Sequence, residues 1–242
     1  MKLLQGDCLE KLKELKDNSI DICIADPPYG RFKHLDWDVK IEFEKLWKEL
    51  WRVCKPTCPI FLFGDFKFAM EIYNSQPKWF KYEIVWNKMR TTTPLLSKKR
   101  FGKATEYILV FYKKQPVYNY LKYHKYLKAP KLEIKSDKNY GGIYGKCSSK
   151  PSPGYDPKLP INVLEGSANT NNKTIKKITE KPQFLLEHLL KYFSNEGDTC
   201  LDFCMGSGSC GVACKTLNRN FVGIELNKEH FKLAKERLDK II

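Results

Sequence analysis

Asp26-Pro27-Pro28-Tyr29 follows an apolar run, Ile20 to Ala25, and gathers a carboxylate, a fixed carbonyl and an aromatic ring at one place. The prolines keep the backbone extended, so these carbonyls are not consumed by a helix. A planar exocyclic amine can give one N–H to Asp26 and the other to the Pro27 carbonyl while its ring stacks on Tyr29. Two such acceptors draw the nitrogen from planarity and free its lone pair. A weak nucleophile is thereby oriented and activated without covalent chemistry by the protein. A second constellation is Gly206-Ser207-Gly208-Ser209-Cys210-Gly211, which fits G-x-G-x-x-G between a strand-like and a helix-like stretch. Small residues let a ligand approach the backbone, and a helix N-terminus favours negative charge. Glu225, at the end of the next apolar run, can bind ribose hydroxyls. Alone, this turn is a generic nucleoside-cofactor signal that nicotinamide and flavin dinucleotides share.

Positioning these groups requires strands. Met1–Gln5, Ile20–Ala25, Pro59–Phe63, Tyr82–Trp86, Tyr107–Tyr112, Thr199–Phe203 and Phe221–Leu226 read as strands. Helical faces recur at Leu9–Leu15, at Phe43–Trp51, after Pro182, after the glycine turn and at Phe231–Ile241. Alternation of this kind predicts an α/β fold with a mostly parallel central sheet and helices on both faces. In such sheets ligands bind beyond the carboxyl ends of the strands. Asp7, Asp26, Asp202 and Glu225 each stand at or beside a predicted strand end, so parallel strands would line all four carboxylates along one crevice. Plainer accounts exist for each: Asp7 with Glu10 resembles a capping box, and Asp26 before two prolines could be a turn residue.

The chain has 242 residues, 42% hydrophobic and 13% aromatic, which excludes a disordered chain and allows a core with no disulfide staple. No apolar run spans a bilayer and no leader opens the sequence, so a cytoplasmic protein with no membrane partner is expected. Nine cysteines at scattered positions read as reduced thiols. Cys200, Cys204, Cys210 and Cys214 form no C-x-x-C pair and the four histidines show no ligand spacing, so no metal is expected. The net charge is +15 and is concentrated: Lys88 to Lys150 holds sixteen basic residues against three acids, with eight of thirteen tyrosines. A basic, aromatic-rich middle suits a polyanion. Between Lys113 and about Thr179 no period is sustained, as in functional loops or inserted modules.

Taken in order, these motifs resemble the beta group of S-adenosylmethionine-dependent DNA amino-methyltransferases, over nearly the whole chain. Asp26-Pro27-Pro28-Tyr29 resembles the catalytic motif and Asp202-Phe203-Cys204-Met205-Gly206-Ser207-Gly208 the cofactor loop. Gly6-Asp7-Cys8-Leu9-Glu10, Thr179-Glu180-Lys181-Pro182 and Lys98-Lys99-Arg100 with Glu106-Tyr107-Ile108-Leu109 resemble further family segments. Thr105 and Ile178 stand where many relatives carry His and a His-Pro pair. The resemblance implies a Rossmann-like methyltransferase fold: a catalytic half at 1–112, a basic target-recognition insert at 113–178 and a cofactor half at 179–242. It implies Asp26, Pro27, Pro28 and Tyr29 as catalytic residues. Asp7, Cys8, Lys181, Asp202, Phe203, Gly206, Gly208, Glu225 and Leu226 would face S-adenosylmethionine, with Lys181 at its carboxylate. Lys98, Lys99, Arg100 and Lys103 would grip phosphates of duplex DNA. A homodimer and a place in restriction-modification are also implied. Asp in first place of the catalytic motif leans toward the amino group of adenine; relatives acting on the cytosine amino group more often carry Ser. Ring-carbon methylation needs a nucleophilic cysteine, but Cys54 and Cys58 are expected in the core. An oxidoreductase would leave the Asp-Pro-Pro-Tyr motif unexplained; a non-catalytic DNA-binding relative is the other rival.

Overall fold

A computed structural model of the chain describes residues 1–31, 38–96, 98–123, 160–167 and 180–241. Most of the segment read as a recognition insert, together with Thr179 and Ile178, lies outside the described residues. Two compact units are present, one built from Met1–Asn119 with Asn162–Ile242 and one from Tyr120–Ile161. In the second unit the described structure is a short helix, α4 (Tyr120–Tyr123).

The first unit is organised on an eight-stranded sheet. Its strands are β1 (Lys2–Gln5), β2 (Ile22–Ala25), β3 (Ile60–Gly64), β4 (Phe80–Asn87), β5 (Thr105–Phe111), β6 (Val163–Glu165), β7 (Thr199–Asp202) and β8 (Asn220–Glu225). They lie in the order β1-β8-β7-β2-β3-β5-β4-β6. β1, β8, β7, β2 and β3 are mutually parallel; β5 runs antiparallel to both its neighbours, and β6 is parallel to β4. Helices α1 (Cys8–Lys13), α2 (Phe43–Val53) and α3 (Phe66–Ser75) form one layer, and α5 (Gln183–Phe193), α6 (Ser209–Thr216) and α7 (Lys228–Asp239) the other. The layers explain the unbroken apolar runs of β2 and β3, which are buried on both faces. Cys23, Ala25, Ile60 and Leu62 pack with Leu12, Trp47 and Phe68 of the first layer. On the opposite face, the Phe61 ring meets Phe193 of α5 edge-on at 5.0 Å.

The Rossmann-like architecture matches expectation, with two additions. α3 follows β3 directly, its N-terminus capped by Asp65, which accepts from Phe68 N at 3.0 Å. β6 falls inside the stretch read as insert, yet it pairs with β4 in the main sheet. The thiols are less scattered than the spacing implied. Cys200, Cys210 and Cys214 bring their sulfurs within 4.8 Å of one another, because i and i+4 on α6 both face the start of β7. Cys54 and Cys58 are buried in the core, away from the cavity described next. Among the described residues, no helix is long and apolar enough to cross a membrane.

Candidate active site

The parallel pairing of β1, β8, β7 and β2 sets four strand ends side by side. Glu225 and Asp202 are the last residues of β8 and β7, Asp26 follows β2, and Asp7 follows β1 by two. All four line one cavity of about 680 Å³. β7 and β2 mark the switch point, where the chain order diverges to the two sides of the sheet, the usual crevice in doubly wound folds. Convergence of these acids therefore follows from strand direction and order.

At β2, Asp26 is held from behind. Its Oδ2 accepts from Lys181 Nζ at 2.5 Å, and Lys181 also meets Glu106 at 2.9 Å. Glu106 in turn pairs with Lys88 at 2.6 Å. The other oxygen, Asp26 Oδ1, is buried and accepts no hydrogen bond among the described residues. Burial pushes the Asp26 carboxyl above its ordinary value, against the pull of Lys181. Burial also weighs on Lys181, but its two carboxylate neighbours hold it protonated. Glu106 feels the same burial, and Lys181 and Lys88 bring it below the usual carboxylate range. Lys181, expected at the cofactor carboxylate, lines the cavity and is paired there with Asp26, the aspartate expected to be catalytic. Glu106 and Lys88 were not expected here; β4 and β5 deliver them as a hairpin with Trp86 opposite Glu106.

Tyr29 stacks on Phe68 at 4.4 Å, and the Arg31 guanidinium lies 5.1 Å from its ring centroid. Arg31 is fixed by a two-pronged bond to Asp65 at 2.6 and 2.9 Å. Asp38 ties down the following turn, accepting from Gly30 N at 2.8 Å and Arg31 N at 2.7 Å. Pro27, Pro28 and Tyr29 all line the cavity.

The floor is the glycine turn. Gly206 has φ +52°, and a Cβ placed there would meet nothing within 4 Å, so the backbone faces open cavity. Glu225 fixes this turn: its two oxygens accept from Gly206 N at 2.9 Å and Asn227 N at 2.8 Å. Gly208 is the second glycine of the turn expected at the cofactor. It does not line the cavity; at φ +78° its Cβ would stand 3.1 Å from the Ala234 Cβ, so it serves the packing of α6 on α7. Asp202 accepts from Cys204 N at 3.1 Å, and burial holds its carboxyl well above the ordinary value. Asp7 caps α1 through Leu9 N and Glu10 N at 2.9 and 3.2 Å, while Glu10 pairs with Lys13 rather than closing a capping box. Asp7 both caps α1 and lines the cavity; Cys8, Phe203 and Leu226 among the expected cofactor residues line it too. Lys103 lines it too, 3.4 Å from Asp65; Lys98, Lys99 and Arg100 are exposed outside it.

The profile of the DNA methylase family matches residues 20–236. The chain is 32% identical to the type II methyltransferase M.HpaI of Haemophilus parainfluenzae, over 98% of this chain and 74% of that one. The chain belongs to the DNA methylase family. M.HinfI of Haemophilus influenzae, another type II methyltransferase, is 30% identical over 99% of this chain and 68% of its own length. The crystal structure of the M1.HpyAVI–SAM complex superposes with a TM-score of 0.65 at 26% identity, covering 98% of this chain and 99% of that one. The cytosine-N4-specific PvuII DNA methyltransferase shares the fold, with a TM-score of 0.72 at 15% identity over 99% and 87% of the two chains. This methylase is a DNA methyltransferase that uses S-adenosylmethionine. Its cavity has room for that cofactor: it is open at Gly206 and lined by Asp7, Asp202 and Glu225, with Glu225 held in place by Gly206 N and Asn227 N.

Proposed function

We propose that this methylase transfers its methyl group to the 6-amino group of adenine in duplex DNA, and that Asp26 holds that amine. The observation that carries this reading is Asp26 Oδ1, a buried acceptor without a donor on the wall of a nucleoside-sized cavity. A buried carboxylate oxygen left unpaired is costly, and an exocyclic N–H is the donor it lacks. The Pro27 carbonyl accepts the second N–H. S-adenosylmethionine, when bound, supplies an electrophilic methyl group on a sulfonium centre. Lys181 fixes Oδ2, so Oδ1 is aimed and kept ionised as positive charge grows on the amine nitrogen. Oδ1 is then placed to take the proton that the alkylated nitrogen gives up; Lys181, already protonated, is not.

A target in a duplex must be extruded to reach this wall, and Tyr29 offers a ring beside it. Glu225 would hold ribose hydroxyls and Asp7 the cofactor adenine, with Cys8, Phe203 and Leu226 around them and Asp202 near its amino group. Lys98, Lys99, Arg100 and Lys103 would hold phosphates, and the insert at 113–178 would read bases. The reading includes a homodimer, a cytoplasmic location beside the DNA substrate, and a role in restriction-modification. Aspartate at the head of the motif favours adenine over the cytosine amino group, which the same two acceptors would also suit.

The test is digestion of methylated DNA to nucleosides. N6-methyladenine is expected; N4-methylcytosine would overturn the choice of base. Asp26→Ala should lower transfer by about a thousandfold while cofactor affinity, measured calorimetrically, stays within about threefold. Equal activity would reject the role of Asp26.

A further inference from the structure

The hairpin between β4 and β5, residues 88–104, carries large apolar side chains into solvent. Phe101 is fully exposed at 100%, Leu95 at 95% and Met89 at 61%. Single exposed apolar residues need no explanation, but these three, with Leu96 at 37%, forfeit burial together on one short hairpin. The hairpin stands at the mouth of the cavity. β5 is antiparallel to β3 with Tyr107 opposite Gly64, so the hairpin joins β5 at the edge where β2 and β3 end. Lys103, at its base, lines the cavity itself.

The hairpin has its own internal bonding. Lys88 N donates to Ala104 O at 2.8 Å, Thr92 N to Lys103 O at 2.7 Å, and Lys103 N to Thr93 Oγ1 at 3.0 Å. Pro94–Leu96 forms a turn of 3-10 helix, and Arg100 N closes onto Leu96 O at 3.0 Å. Gly102 lets the two arms meet: a Cβ there would fall 2.2 Å from Thr91 Oγ1. The aromatic ring is therefore presented by bonded backbone on both sides.

The charge around it selects the partner. No acid occurs from Lys88 through Thr105, while Lys98, Lys99 and Arg100 immediately precede Phe101. Cations that grip phosphates bring the tip against a duplex, and apolar side chains set among cations are the ones that enter between base steps. Extruding a base toward Asp26 leaves a gap in the stack, and that gap is apolar and flat.

We propose that Phe101, with Leu95 on the same hairpin tip, is a wedge that enters the duplex at the target step and occupies the place the extruded base leaves. This rests on duplex DNA being the substrate. The test uses duplexes bearing target sites mapped by sequencing modified bases in DNA treated with the wild-type enzyme. Phe101→Ala is compared with wild type on an intact pair and on a duplex with an abasic nucleotide opposite the target, where extrusion is already easy. The variant is expected to lose about tenfold or more on the intact pair and less than about threefold on the weakened one. Phe101→Trp restores the rate, and 2-aminopurine at the target brightens with wild type but not with the alanine variant. Equal loss on both duplexes, or no loss on either, would overturn the wedge while leaving the methyltransferase reading intact. A wild-type enzyme that methylates no duplex would overturn that reading and the wedge with it.

Discussion

Lys181 stands between Asp26 at 2.5 Å and Glu106 at 2.9 Å, and its substitution separates structure from chemistry. Lys181→Met keeps most of the volume and removes the charge, leaving both carboxylates without it. Breaking a buried pair costs about 3–5 kcal/mol; Lys88 still neutralises Glu106, so the lower end, about 3 kcal/mol, is expected as a shift in urea midpoint at constant m. The same change acts on pH. The role proposed for Asp26 requires its ionised form, and its carboxyl lies above the ordinary value because of burial. Activity is therefore full above that value and falls as pH drops through it. The acid limb of kcat/KM should lie above about 4, the usual aspartate value. With Lys181 gone, burial remains and attraction is lost, so the limb moves to higher pH; a limb that stays put would show that Lys181 does not govern Asp26. The aspartate was legible because its partners, Pro27 and Tyr29, are its neighbours in the chain. The lysine's position was not, because its bond spans 155 residues and depends on how α5 approaches β2. Glu106 and Lys88 were hidden for a similar reason: only strand register puts them there.

Among the elements, the glycine turn makes a contrast between two residues of one motif. Gly206→Ala projects a methyl into open cavity, whereas Gly208→Ala drives one against Ala234. Both have positive φ, which costs an alanine about 1–2 kcal/mol. Gly206→Ala should also weaken S-adenosylmethionine binding by about tenfold or more, read by calorimetry; Gly208→Ala should lower thermal stability further and leave affinity nearly unchanged. Comparable losses of affinity would undo the assignment. The motif's spacing was visible in the sequence, but G-x-G-x-x-G does not say which glycine meets a ligand and which meets a helix. Strands β2, β7 and β8 were legible as apolar runs ending at acids, and β3 as an apolar run. β6 has three residues and no apolar run, and exists through its pairing with β4. α3 carries three aromatic residues and Ile72, which weaken a helical signal; its cap, Asp65, was the available clue.

For the whole molecule, a net charge of +15 makes DNA affinity the property most sensitive to salt. The logarithm of the association constant should fall linearly with that of salt concentration. Replacing Lys98, Lys99 and Arg100 together by Ala should reduce the slope by about 3, read by fluorescence anisotropy. Cofactor affinity should be far less sensitive, and an unchanged DNA slope would remove these residues from the phosphate contacts. Strand order carries a last consequence. β2 pairs with β7, and β1 with β8, so the Asp-Pro-Pro-Tyr motif sits on a strand whose inner neighbour is synthesised far later in the chain. A chain stalled on the ribosome after its middle has Asp26 but no nucleoside floor. Premature termination after the middle therefore leaves the β2 edge bare and the glycine turn missing, so such a fragment should transfer no methyl group.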